Sequence, residues 1–224
     1  MKKFIKNVCG YFGGQNLRKT RSLIKSEPFG NIFNFSSLKE CFDKTEGMIS
    51  FEEATLLYEL ARQATGGCIV EVGSYRGRSA VALGRGSLDG HRVPIYAIEP
   101  HEEFTGVLGG QFGPSDRGAF YKAMIDTSCY LIVRLINLSS EIVAPNWIKK
   151  ISLLWIDGDH TYNGVKRDFE CWLPHLTSDA RIAFDDSNNP DLGPRQLINE
   201  LVEKKNCEEI LQVGKVTVIR RKDV

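Results

Sequence analysis

Two short stretches of this chain gather carboxylates densely enough to do chemistry: Trp155-Ile-Asp157-Gly-Asp159-His160-Thr-Tyr162 and Phe184-Asp185-Asp186-Ser-Asn188-Asn189. Each follows an apolar run, Ile151–Ile156 and Ala180–Phe184, that reads as a strand. Carboxylates converging at one sheet edge repel one another unless a proton or a positive group intervenes. A hard divalent cation with oxygen ligands is the economical solution. His160 stands beside these aspartates, and an imidazole of ordinary pKa suits proton transfer near neutral pH. The plainer reading is that Asp157 and Asp185 cap helices and that His160 merely packs; Asp159 and Asp168 read as structural.

A second constellation lies upstream, in Glu71-Val-Gly73-Ser74-Tyr-Arg-Gly77-Arg-Ser79. It follows the apolar run Cys68–Val72 and opens a helical pattern. A glycine just past a strand permits positive φ and lets a ligand approach the backbone. A second at a helix opening presents free N–H groups to an anionic ligand group. Dinucleotide sites use three glycines around a pyrophosphate. This turn has two, four apart, and suits a ligand without one. Glu99 ends the next apolar run, Pro94–Ile98, 22 residues beyond Gly77. A carboxylate at that distance hydrogen-bonds ribose hydroxyls in nucleotide-binding Rossmann-like folds.

The elements that must position these residues alternate. Ser50 and Glu53 form a capping-box pattern ahead of a helix over about 51–64, which Gly66-Gly67 stops. Strands at 68–72, 94–98, 131–136, 151–156 and 180–184 alternate with helices at 79–88, near 115–130, after Tyr162 and at 194–205. The helix after Tyr162 lines up Val165, Phe169, Trp172, Leu173 and Leu176 on one face. Ile210–Val213 and Val216–Ile219 flank Gly214-Lys215 as a hairpin. The expectation is an α/β, Rossmann-like, seven-stranded and mostly parallel sheet with an antiparallel C-terminal strand, in a three-layer sandwich. Ligands in such sheets sit beyond the carboxyl ends of the strands at the topological switch point.

Glu-x-Gly-x-x-x-Gly after the first strand, an acidic residue ending the second and the extra C-terminal strand together resemble the class I S-adenosylmethionine-dependent methyltransferases, over about residues 47–220. The resemblance implies S-adenosylmethionine held by Glu71, Gly73, Ser74, Gly77, Ser79, Glu99 and Asp157, with Ser139 of Leu138-Ser139-Ser140 along the adenine. Asp-Gly-Asp-His-x-Tyr resembles a branch related to magnesium-dependent sugar and catechol-type O-methyltransferases. It implies Mg2+ on Asp157, Asp185 and Asp186, and catalytic roles for Asp157 and His160. Asp186 stands where the catechol-type enzymes have asparagine, His160 where they have a lysine, and Thr177-Ser178-Asp179 where Pro-Gly-Gly is usual. The acceptor implied is a small-molecule hydroxyl on a sugar or natural-product scaffold, a vicinal diol or catechol chelating a metal best.

Composition bounds the rest. The chain has 224 residues, 42% hydrophobic and 25% charged, with net charge +1, which gives no global argument for nucleic acid. Before Glu27 stand Lys2, Lys3, Lys6, Arg18, Lys19, Arg21 and Lys25 with no acidic residue, a solvated arm or a weak membrane-surface contact. Residues 1–45 read as a preamble, available to a homodimer interface, ahead of a catalytic domain over 46–224. No stable membrane insertion is expected. Six scattered cysteines without a Cys-x-x-Cys pair read as reduced thiols of a cytoplasmic protein. The loop Phe104–Gly118, with five glycines, reads as a mobile lid, and Arg117 and Arg195 as candidate contacts for an acidic substrate. Three alternatives stay open: an NAD or nucleotide-sugar oxidoreductase, a non-catalytic S-adenosylmethionine-binding protein, and a metal-independent methyltransferase using His160 alone.

Overall fold

The computed structural model describes residues 35–221, so the basic arm and Cys9 lie outside the described residues. Helix α1 (Phe35–Asp43) precedes α2 (Phe51–Gln63), which begins on the expected capping box. Glu53 N–H donates to Ser50 Oγ (3.3 Å), and Ser50 N–H donates to Glu53 Oε2 (2.7 Å). Then come β1 (Cys68–Val72), α3 (Arg78–Asp89), β2 (Ile95–Ile98), the short pair β3 (Phe104–Thr105) and β4 (Gln111–Phe112), α4 (Asp116–Asp126) and β5 (Val133–Ile136). The second half runs α5 (Ser140–Val143), β6 (Ile151–Ile156), α6 (Tyr162–Trp172), β7 (Leu176–Phe184), α7 (Gly193–Glu203), β8 (Cys207–Val213) and β9 (Val216–Arg221).

Seven strands form one sheet in the order β5-β2-β1-β6-β7-β9-β8, parallel except for β9, which runs against both neighbours. The expected architecture is therefore present. Successive strand residues face opposite sides. Val70, Val72, Leu154, Ile156, Ile182 and Phe184 pack with Val165, Phe169 and Trp172 of α6 and Leu197, Ile198 and Leu201 of α7. Each large apolar side chain buried this way contributes about 1.5–3 kcal/mol. Ile69, Glu71, Leu153 and Trp155 alternate with these residues, and all four are buried too. The helical layer on this side includes α2 and α3, which approach backbone to backbone: a Cβ on Gly86 would lie 2.1 Å from the Tyr58 carbonyl oxygen.

Several boundaries differ from expectation. Leu176, expected on the apolar face of α6, instead opens β7. Pro174 lies in a 3-10 turn at Leu173–His175, and a proline cannot continue a helix interior, so α6 stops at Trp172. The helix expected to reach 130 ends at Asp126, and a 3-10 turn at Cys129–Leu131 delays the next strand to Val133. Within the glycine-rich loop, β3 and β4 pair and bring the Phe104 and Phe112 rings to 6.0 Å. Among the described residues, Cys41, Cys68, Cys129 and Cys171 are free thiols. No helix among the described residues is long and apolar enough to cross a membrane.

Candidate active site

The strand order reverses between β1 and β6, so the crevice opens where these two strands end. Ladder hydrogen bonds run one residue past the strands: Gly73 N–H to Ile98 O (3.1 Å), Asp157 N–H to Val72 O (2.8 Å) and Asp185 N–H to Ile156 O (3.0 Å). Three site residues are thus set in a row by backbone alone.

Gly73 adopts φ +82°, and a Cβ there would stand 2.1 Å from the Asp157 carbonyl oxygen. The glycine turn and the first carboxylate segment touch through main chain. Gly77, at φ +93°, is the N-cap of α3, with no side-chain capping bond to the first-turn amides. Glu99 Oε2 accepts from Ser74 N–H (3.1 Å) and Tyr75 N–H (3.2 Å), and Oε1 accepts from His101 N–H (2.8 Å). The residue expected to meet a ribose therefore also shapes the turn. Buried His101 donates from Nε2 to the Tyr75 carbonyl (2.9 Å), which leaves Nδ1 to accept from Asn137 (3.3 Å). Asn137 also donates to the Glu99 and Pro100 carbonyls, and Ser139, two residues on, is the N-cap of α5. Among the described residues six non-glycine residues have positive φ, and three of them, Tyr75, His101 and Asp186, belong to this region.

Glu71 is wholly buried beneath the turn. The Ser74 hydroxyl donates to its Oε2 (2.9 Å), while Oε1 has no partner. Burial pushes its carboxyl up to about 7 against the hydrogen bonds of Ser79 and Ser74.

The other half of the site is a charge cluster. Asp157, His160 and Asp185 each offer an atom, all within 4.8 Å of one another. His160 Nε2 stands 3.3 Å from Asp157 Oδ1, and Nδ1 3.3 Å from Asp186 Oδ2. Nε2 makes no hydrogen bond, and neither does the buried Asp185 Oδ1. Burial pushes Asp157 up to about 7, with Lys215 opposing and Asp186 adding to the rise. Burial and the neighbouring charge of Asp157 hold Asp185 well above the carboxylate range.

Lys215, which the sequence reading passed over, supplies a positive charge to this cluster. Its Nζ lies 2.6 Å from Asp185 Oδ2 and 3.3 Å from Asp186 Oδ1. Burial opposes its charge, yet the fields of Asp185, Asp157 and Asp186 keep it above the ordinary lysine range. The reading did place Lys215 in a two-residue hairpin turn. Only the pairing of β9 with β7 brings that turn to the end of β7. Glu53, a cap in the sequence pattern, also accepts at Oε1 from Lys215 N–H (2.9 Å).

The remaining candidates separate from this centre. Asp159 accepts from Thr161 N–H and Oγ1 (both 2.9 Å) at the start of α6. Asp168 is buried under Gly158, and burial raises its carboxyl to about 6 against a hydrogen bond from Ser140. Arg195 donates to the Ser187 carbonyl (2.5 Å), Thr217 Oγ1 (2.9 Å) and Glu209 (3.0 Å), which commits its guanidinium to the scaffold. Arg117 Nε is buried without a partner. A cavity of about 570 Å³ lies under the β3–β4 pair, lined by Arg76, Phe104, Phe112 and Asp116 among others.

A family profile described as a methyltransferase domain matches residues 70–187, more than half of the chain. Among solved structures, the SAH-bound Podospora anserina methyltransferase PaMTH1 superposes with TM-score 0.62 at 20% identity, over 95% of this chain and 97% of that one. The O-methyltransferase TomG from Streptomyces achromogenes, involved in tomaymycin synthesis and in complex with SAM, gives 0.60 at 16%, over 90% and 93%. An O-methyltransferase from Bacillus cereus in complex with SAH gives 0.59 at 15%, over 83% and 91%. At these identities the likeness is one of fold.

Proposed function

Because the chain belongs to the methyltransferase-domain family, we propose that it moves a methyl group from S-adenosylmethionine to a hydroxyl of a small molecule. A sugar or natural-product scaffold is the acceptor class. The observation that carries this reading is the backbone contact of Gly73 with Asp157, which sets the cofactor turn directly against the cluster of Asp157, His160 and Asp185. The cofactor reading is supported by the SAM and SAH of the three structural neighbours and by a turn with two positive-φ glycines closed by Glu99. The same family membership weighs against the oxidoreductase alternative.

An acceptor hydroxyl must lose its proton as it attacks the methyl group. His160 is the base in this reading. Asp186 at Nδ1 fixes the orientation of the ring and leaves Nε2, which makes no hydrogen bond, to take the proton. Glu71, Gly73, Ser74, Gly77, Ser79, Glu99, Ser139 and Asp157 hold the cofactor in this reading. Magnesium fits the donor set, because Asp185 Oδ1 is a buried carboxylate oxygen without a partner inside one cluster of oxygen donors. Asp157, Asp185 and Asp186 would hold it. When bound, it would lower the pKa of a substrate hydroxyl and orient it. A cytoplasmic location goes with this reading, since the six cysteines are scattered without a Cys-x-x-Cys pair.

Calorimetry with S-adenosylmethionine, with and without magnesium, tests the reading. The wild type should bind in the micromolar range, and Glu99→Ala should lose at least about tenfold, the equivalent of one charged hydrogen bond. No binding by the wild type under either condition rejects it. With an acceptor in hand, His160→Ala should lower turnover by about 10²–10⁴ while leaving cofactor affinity in place.

A further inference from the structure

The ammonium of Lys215 bridges Asp185 and Asp186, two of the three carboxylates that would hold magnesium. This is no chance approach of a flexible surface lysine, because the main chain of Lys215 is fixed on both sides. Its N–H donates to Glu53 Oε1 (2.9 Å), and its carbonyl accepts from Ser187 N–H (2.8 Å) and Ser187 Oγ (2.9 Å). Glu53 is 4% exposed and Ser187 fully buried, so both anchors are themselves held. Asp185 is 1% exposed, with Oδ2 taken by the lysine and Oδ1 left without a partner.

A positive group that bridges two carboxylates does part of what a divalent ion does: it cancels their repulsion and fixes their orientation. We propose that Lys215 is a resident cation at the Asp185–Asp186 pair, so that a divalent ion can use that pair only by displacing the ammonium. The inference rests on the reading of Asp157, Asp185 and Asp186 as metal ligands. The site then stays assembled without metal, and metal binding becomes an exchange of cations. A bound divalent ion and an ammonium sharing the same two carboxylates repel each other strongly in a partly buried setting.

The test is Mn2+ binding to the whole chain, followed by calorimetry and by the shift in thermal unfolding temperature at saturating ion. Lys215→Met should bind Mn2+ at least tenfold more tightly than the wild type, with a correspondingly larger metal-induced thermal shift. Lys215→Arg, which keeps the charge, should stay within about threefold of the wild type. If Lys215→Met does not fold, Lys215→Gln, which removes the charge but keeps a polar side chain, should still bind the ion more tightly than the wild type. Equal or weaker binding in a folded variant overturns the proposal. Measurable Mn2+ binding by the wild type in that case leaves the metal reading standing. Binding by the variant alone supports the resident cation and ends the claim that the wild type uses a metal. No binding by either protein ends both, and the cofactor titration above still decides the methyltransferase reading separately.

Discussion

The glycine turn after β1 and the carboxylate cluster after β6 and β7 lie side by side at one switch point, yet they are held by opposite means. The turn is a construction of main chain: Gly73 and Gly77 at positive φ, amides of Ser74 and Tyr75 bonded to Glu99, and a carbonyl of Tyr75 bonded to His101. The cluster is a construction of charge, with Asp157, Asp185, Asp186, His160 and Lys215 arriving from three separate segments. Steric constraint fixes the first half, and a balance of ionisations fixes the second. Substitution should therefore damage the turn through shape and the cluster through charge and pH.

The largest effect is expected at Gly73. Alanine there meets both a left-handed backbone and a Cβ placed 2.1 Å from the Asp157 carbonyl oxygen. Gly73→Ala should cost about 3 kcal/mol or more in urea unfolding and abolish cofactor binding. A variant of near wild-type stability would show that the two halves are not locked together through backbone.

The second prediction concerns pH at a buried carboxyl beneath the charged half. Asp168, buried beneath the Gly158 backbone, has its carboxyl raised from 3.8 to about 6. A folded-state pKa above the unfolded one means that the native protein holds the extra proton between about pH 4 and 6. Its contribution is full below that window and is lost as pH rises through it. Relative to Asp168→Asn, the wild type should lose up to about 3 kcal/mol between pH 4 and 7. Parallel stability curves for the two proteins would show that Asp168 holds no extra proton in the native state.

The smallest effect lies where α2 meets the charged half. Glu53→Ala removes the reciprocal bond of the α2 cap and the acceptor for Lys215 N–H. A loss of about 2 kcal/mol is expected, read as a fall of about 4–8 °C in unfolding temperature. A fall no larger than that of Ser50→Ala would confine Glu53 to its helix.

This division also explains what could be read in the sequence. The turn was legible because its parts are local: an apolar strand, two glycines at fixed spacing, and a carboxylate ending the next strand. The sheet was legible for the same reason, since period and punctuation repeat along it. Boundaries slipped where a single residue overrode the pattern, as Pro174 did by ending α6 before Leu176. The cluster was half legible. Its carboxylates and His160 announced themselves by density, but their counter-charge did not. Lys215 sits 30 residues from Asp185, and nothing in Gly214-Lys215 itself says which strand end the turn will meet. His101 and Asn137 escaped for the same reason: their partners are carbonyls, which carry no signature in a sequence.

The position of Lys215 also bears on how the protein is made. A ribosome releases Asp157, then Asp185 and Asp186, and only some thirty residues later the hairpin that brings their counter-charge. Until β9 inserts beside β7, the nascent sheet carries a row of carboxylates without that partner, in a place about to be buried. Docking of the hairpin is then an electrostatic closing step as well as a packing one, and ribosome-stalled chains lacking β8 and β9 should stay open to protease at the ends of β6 and β7.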